Sequence, residues 1–157
     1  MADKTTKNQT KNGVGDDLRV MVYGTLKGGH PNHGAITGAE FLGRHCLEGY
    51  QMVDLGWYPG VIKGGENTKI FGEVYKITKE MLSIMDSIEG HPNYYERKEV
   101  DIEEHGGKTW IYLLPSEYLE ENDPVEGGCW RPSQEEVVYA KQQCGTDLAV
   151  FAGNQDE

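Results

Sequence analysis

Leu18-Arg19-Val20-Met21-Val22-Tyr23-Gly24-Thr25-Leu26-Lys27-Gly28-Gly29 opens the foldable part of the chain as a short apolar run cut off at a glycine. The run Leu18–Tyr23 has the length and bounding residue of a strand. The turn after it places consecutive backbone N–H groups where they can form a concave site for an anion, with no basic side chain needed. A carboxylate is a natural guest. The turn matches neither GxxxxGK[ST] nor GxGxxG, so it is not one of the common phosphate loops. On the residues alone, a plain β-turn whose glycines serve only geometry remains the alternative.

Outward from this stretch, residues 1–17 are rich in Lys, Thr, Asn, Gln and Gly and hold almost nothing apolar. Such a segment cannot offset the entropy of ordering and is expected to be a flexible tail, as is 153–157. One folded domain over 18–152 is expected between them. Residues 25–38, with four glycines, one proline and two histidines, form a long loop with a helical turn around Asn32–Ile36. Phe41–Leu55 reads as one or two strands, Trp57-Tyr58-Pro59-Gly60 as a turn and Ile70–Ile77 as a strand. Arg97–Glu104 and Lys108–Leu114 flank His105-Gly106-Gly107 as a hairpin, and the acidic stretch Glu117–Glu126 as a surface loop. Ser133 and Glu136 form a capping box that opens a helix to about Cys144. The fold class is therefore α+β: a mixed, mostly antiparallel curled sheet or small barrel with two main helices.

The other helix runs from Lys79 to about Ile88, capped by Thr78 and stopped by Gly90 and Pro92. On a wheel advancing about 100° per residue from Met81, the residues Met85, Ile88 and Ile84 share an apolar arc with Leu82 at its edge. Glu89 falls inside that arc, between Met85 and Leu82, and Asp86 on its flank. A carboxylate aimed at an interior is costly unless paired or protonated. Burial and the negative end of the helix dipole both act to raise its pKa, which suits a proton shuttle near neutrality. A buried ion pair with Arg97 or Lys98, or a frayed last turn, is the competing reading.

Composition excludes several classes. Fifteen basic residues against 26 acidic ones give a net charge of −11, a field that repels nucleic acid and anionic membrane surfaces. No apolar run approaches the roughly 18 residues of a membrane span, so neither partner is expected and the cytoplasm is the expected compartment. Cys46, Cys129 and Cys144 are distant in sequence, odd in number and without a CxxC pair, which indicates neither a disulfide framework nor a zinc site. His30 and His33 lack an obvious third ligand, and no metal or cofactor is expected. Trp57, Trp110 and Trp130 read as core and rim of the sheet. A monomer is expected from so strong a charge.

Val22-Tyr23-Gly24-Thr25-Leu26 together with Leu82–Gly90 resembles the γ-glutamylcyclotransferase family, whose members carry a Tyr-Gly-(Ser/Thr)-Leu loop after the first strand and a catalytic glutamate following a helix. Gly72-Glu73-Val74-Tyr75 and Tyr95-Glu96-Arg97 match further family positions, the second as its Tyr-x-Arg. The run from Tyr23 to His33, with Pro31-Asn32-His33, looks most like the γ-glutamylaminecyclotransferase, AIG2-like branch. The resemblance covers roughly Val20 to Leu114. It implies an enzyme acting on a small γ-glutamyl compound: the α-amine attacks its own γ-carbonyl, closing 5-oxoproline and releasing the attached amine. It also implies Glu89 as the acid/base, the Tyr23, Gly24, Thr25 and Leu26 loop as the cradle of the substrate carboxylate, and Tyr95 as a pocket residue. The alternative from another class is a protein that binds or sequesters a small molecule in the same pocket without turnover.

Overall fold

The computed structural model describes residues 17–150 of the chain. Of the tails expected over 1–17 and 153–157, all but Asp17 lie outside the described residues. Seven strands follow in chain order: β1 (Leu18–Val22), β2 (Glu40–Glu48), β3 (Tyr50–Asp54), β4 (Pro59–Lys63), β5 (Lys69–Ile77), β6 (Glu96–Ile102) and β7 (Gly107–Leu113). Three α-helices accompany them: α1 (Lys79–Glu89), α2 (Tyr118–Glu121) and α3 (Gln134–Cys144). A 3₁₀ turn at His33–Ile36 gives the long first loop its one helical turn.

The main sheet has the order β2-β5-β1-β7-β6, with β3 and β4 forming a separate two-stranded sheet. All pairings are antiparallel except β1 with β7, which align in parallel at Val20 and Trp110. The α+β class and the mixed, mostly antiparallel sheet expected from sequence are therefore present.

β1 explains the placement of everything else. It is central, and both of its faces are covered: Val20 and Val22 join one apolar cluster with Leu82, Met85 and Tyr95, while Met21 and Tyr23 join another with Met52, Val61 and Trp130. A strand buried on both faces reads as an unbroken apolar run rather than an alternation. A third cluster of Phe71, Cys129, Ala140 and Leu148 lies under α3.

Three expectations are corrected. The turn read at residues 57–60 sits two residues earlier: Leu55 N donates to Tyr58 O at 3.0 Å, and Asp54 pairs with Pro59 across a hairpin. Pro59 and Gly60 thus begin β4, a first-residue position where proline is tolerated. The acidic stretch is not all loop, since α2 occupies part of it. On α1, Ile84 and Ile88 are 48% and 42% exposed, whereas Leu82 and Met85 are buried. The buried arc is narrower than the wheel suggests, and it is centred on Glu89.

Candidate functional site

At the end of β1 the chain turns sharply away from the sheet. Gly24 permits this, because a Cβ there would lie 2.8 Å from the ring carbons of Pro59 on β4. Lys27 N donates to Gly24 O at 3.0 Å and Asn32 N to Thr25 O at 2.8 Å, so the loop closes on itself. Asn32 Nδ2 donates to the Thr25 hydroxyl at 2.9 Å, and the His33 ring bonds Leu26 O at the same distance. Two buried carboxylates hold the loop from below. Glu73 on β5 accepts from Gly28 N at 2.9 Å and from the Tyr75 hydroxyl at 2.8 Å. Glu136 on α3 accepts from the fully buried Lys27 ammonium at 2.9 Å, which also donates to Trp130 O at 2.7 Å. Among the described residues, no protein acceptor takes the backbone N–H of Gly24, Thr25 or Leu26. They are left as three consecutive donors lining a cavity.

α1 brings the acid to the same cavity. The Thr78 hydroxyl accepts from Met81 N at 3.1 Å, and Gly90 ends the helix in the left-handed conformation at φ 70°. Met85 and Glu89, one turn apart, therefore share the inward face. Glu89 is half-buried, and among the described residues no donor reaches its carboxyl. Burial without a hydrogen bond pushes that carboxyl up from 4.5 to about 7.

The competing ion pairs do not form. Arg97 is taken by Asp86, with Nε to Oδ1 at 2.8 Å and Nη2 to Oδ2 at 3.2 Å, and its guanidinium lies 4.3 Å from the centre of the Trp110 ring. Lys98 faces Glu96 at 3.7 Å. The Tyr112 hydroxyl also donates to Asp86, at 2.6 Å. Burial acts to raise the Asp86 carboxyl, but the hydrogen bonds from Arg97 and Tyr112 outweigh it and hold the group below its ordinary value. One helix thus carries two carboxyls with opposite fates, three residues apart.

The cavity is about 320 Å³ and lies between the loop and α1. Tyrosines make up much of its wall. The Tyr23 hydroxyl donates to Tyr112 O and the Tyr95 hydroxyl to Pro59 O, both at 2.6 Å. Tyr58 and Tyr94 meet at the mouth with hydroxyls 3.2 Å apart. Burial, with the Glu89 charge adding to it, raises the Tyr23 and Tyr95 phenols, so both stay protonated near neutrality.

Comparison with known proteins gives this arrangement a family. The family model described as "Gamma-glutamyl cyclotransferase, AIG2-like" matches residues 20–132. The chain belongs to the γ-glutamylcyclotransferase family. The γ-glutamylcyclotransferase family protein YtfP of Escherichia coli K12 is 30% identical over 113 residues, 72% of this chain and 96% of YtfP. The solution structure of E. coli YtfP superposes with a TM-score of 0.58 over those same shares. The crystal structure of an AIG2-like protein from Mus musculus is 29% identical over 62% of this chain and 77% of its own, with a TM-score of 0.56. A Pyrococcus horikoshii crystal structure gives 35% and 0.54 over the same coverage.

Against that family background, Tyr23, Gly24, Thr25, Leu26, Glu89 and Tyr95 all line one cavity. Tyr95 lines it without bonding Glu89, since its hydroxyl is committed to Pro59. Trp57 stands apart, 86% exposed. His33 is engaged with Leu26 O, and among the described residues no group of three potential metal ligands comes together. Sequence reasoning named Tyr58, Pro59 and Tyr94 as candidates for the pocket rim, and they line the cavity, but it missed Tyr112 and Asn32. It also missed Lys27, whose position directly after the Leu26 turn was the available signal. No helix among the described residues is long and apolar enough to cross a membrane.

Proposed function

We propose that this chain is a cyclotransferase that converts a γ-glutamyl amine or γ-glutamyl amino compound to 5-oxoproline and a free amine. The observation that carries the reading is the pairing of an unpartnered, half-buried Glu89 with three free loop N–H groups across one cavity. The substrate α-carboxylate docks on the N–H groups of Gly24, Thr25 and Leu26, which fixes the folded γ-glutamyl conformer. Glu89, as carboxylate, takes a proton from the substrate α-ammonium. The freed amine attacks the γ-carbonyl, the new C–N bond closes the five-membered ring, and the old one breaks. Glu89 returns this proton to the departing nitrogen, then relays the second proton that the attacking nitrogen sheds on ring closure, so the amine leaves as ammonium and Glu89 ends in the form in which it began. A pKa of about 7 suits both halves of this cycle.

No covalent enzyme intermediate is needed, in keeping with a cavity lined by tyrosines and a single carboxylate. Tyr95 and Tyr23 shape the wall with their hydroxyls tied back, and the departing amine leaves through the mouth at Tyr58 and Tyr94. γ-Glutamylamines are the substrates to try first, on the likeness of Pro31-Asn32-His33 to that branch.

The test is 5-oxoproline release, by mass spectrometry, from a panel of γ-glutamyl compounds with the natural protein and Glu89→Gln side by side. Release is expected to vanish in the variant while ligand binding and fold persist, and kcat/KM of the natural protein is expected to climb with pH through about 7. Full activity in Glu89→Gln refutes the mechanism. Silence of both proteins, with calorimetric binding of a panel member, makes the chain a sequestering protein instead.

A further inference from the structure

A second cleft, of about 560 Å³, opens on the far side of the sheet from α1, where α3 packs against β2. Two of the three cysteines line it. Cys46 stands on β2, in register with Phe71 of β5, and Cys144 is the last residue of α3. Both are free thiols and both are half-buried. Both line the cleft and rest on the same apolar floor of Phe71, Ala140 and Leu148. Distant in sequence, these two cysteines line the same cleft. Cys129 is different: it is 1% exposed and lies beneath the Lys27 ammonium, away from the cleft.

We propose that Cys46 and Cys144 form a dithiol–disulfide site, oxidised by a low-molecular-weight disulfide that enters this cleft. The cleft itself is the first argument, because it opens to solvent beside both sulfurs. Its charged lining, Arg44 and Lys69 against Glu48 and Glu104, is balanced, so an uncharged disulfide meets no electrostatic barrier. The second argument is mechanical. Lys69 Nζ and the Thr146 hydroxyl hold the Cys144 carbonyl at 3.3 and 3.4 Å, keeping the end of α3 over β2. Gly145, left-handed at φ 64°, follows at once and supplies the slack that bond formation needs.

The chemistry balances as an exchange. The Cys144 sulfur, as thiolate, attacks one sulfur of the small disulfide, forms a mixed disulfide and expels one thiolate, which takes up the released proton. The Cys46 sulfur then attacks the Cys144 sulfur, closes the internal bond and expels the second thiolate, which takes the Cys46 proton. The protein gives up two electrons and two protons, and the small disulfide becomes two thiols. Burial first, and then the neighbouring Cys144 sulfur, push the Cys46 thiol up to about 12, so it suits the second step rather than the first. The mixed disulfide removes the Cys144 contribution to that shift, which eases the resolving attack.

The proposal does not depend on the cyclotransferase reading. It is tested on the full chain, reduced, then incubated folded with hydroxyethyl disulfide, acid-quenched, unfolded and alkylated with iodoacetamide. Alkyl groups per chain are expected to fall from three to one, with the remaining label on Cys129 and a proteolytic fragment joining Cys46 to Cys144. Dithiothreitol should restore three. Cys144→Ser and, independently, Cys46→Ser should abolish the internal bond while Cys129→Ser retains it, so failure of one variant to fold leaves the others to decide. Three alkyl groups after incubation, a mixed disulfide that never converts, or a bond that includes Cys129 each overturns the proposal.

Discussion

Glu89 makes the protein less stable at the pH where it is proposed to work, and replacing it with glutamine should reveal by how much. Its carboxyl is raised from 4.5 to about 7 by burial, so the folded state holds the proton more tightly than the unfolded state does. The sign follows: below about pH 4.5 both states are protonated and nothing is lost. As pH rises from 4.5 to 7 the unfolded chain ionises first and folding becomes less favourable; above 7 the loss is complete. Each tenfold change in proton affinity is about 1.4 kcal/mol, so the full loss is about 3 kcal/mol. Glutamine has the same shape and no charge at any pH. Urea unfolding of the natural protein and Glu89→Gln between pH 4.5 and 8.5 should therefore show a gap that widens with pH. The variant should end about 3 kcal/mol ahead, or about 6–12 °C in Tm for a chain of this size. A constant offset from the new amide would not matter, because only the widening is diagnostic. A gap that stays flat across that range would refute the claim that Glu89 is desolvated and unpartnered, and with it the basis of its proposed role.

Two further outcomes follow from the supports of the site. Lys27→Met leaves the Glu136 carboxylate buried without its cation and should cost about 3–5 kcal/mol in urea unfolding, with Glu136→Gln added to it recovering a large part; a double variant no more stable than the single one would contradict this. Asp86→Asn removes the charge that holds Arg97 and Tyr112 and should cost about 2 kcal/mol near neutrality. Because the Asp86 carboxyl is held below its ordinary 3.8, that contribution is present above 3.8 and should fade as pH falls through the lower folded value, measured as the difference between the two proteins.

The parts of the site set by local rules were legible in the sequence. Thr78, Gly90 and the turn spacing of Met85 and Glu89 define α1 and the face of its acid within one short segment. The strand-then-glycine pattern at Tyr23-Gly24 similarly located the cavity wall. What stayed hidden depends on contacts made across the fold. Glu136 was readable as the partner of Ser133 but not of Lys27, because the capping box lies within three residues and the ion pair joins residues 109 apart. Arg97 was weighed as a partner for Glu89; its reach from β6 to Asp86 and the approach of Tyr112 from β7 decide against it, and neither contact is a local property. The exposure of Ile84 and Ile88 was illegible for the same reason, since apolar spacing reports which residues could face a core and not how wide that core is.

The family match ends at residue 132, yet the helix that begins at Gln134 supplies the anion that neutralises a lysine directly following the Tyr23–Leu26 turn. A buried ammonium is tolerable only while its counter-charge is present, so the terminal helix and the lysine depend on each other. Across relatives, positions 27 and 136 should accordingly change as a pair, an inheritance pattern that counts the terminal helix as part of the loop it supports.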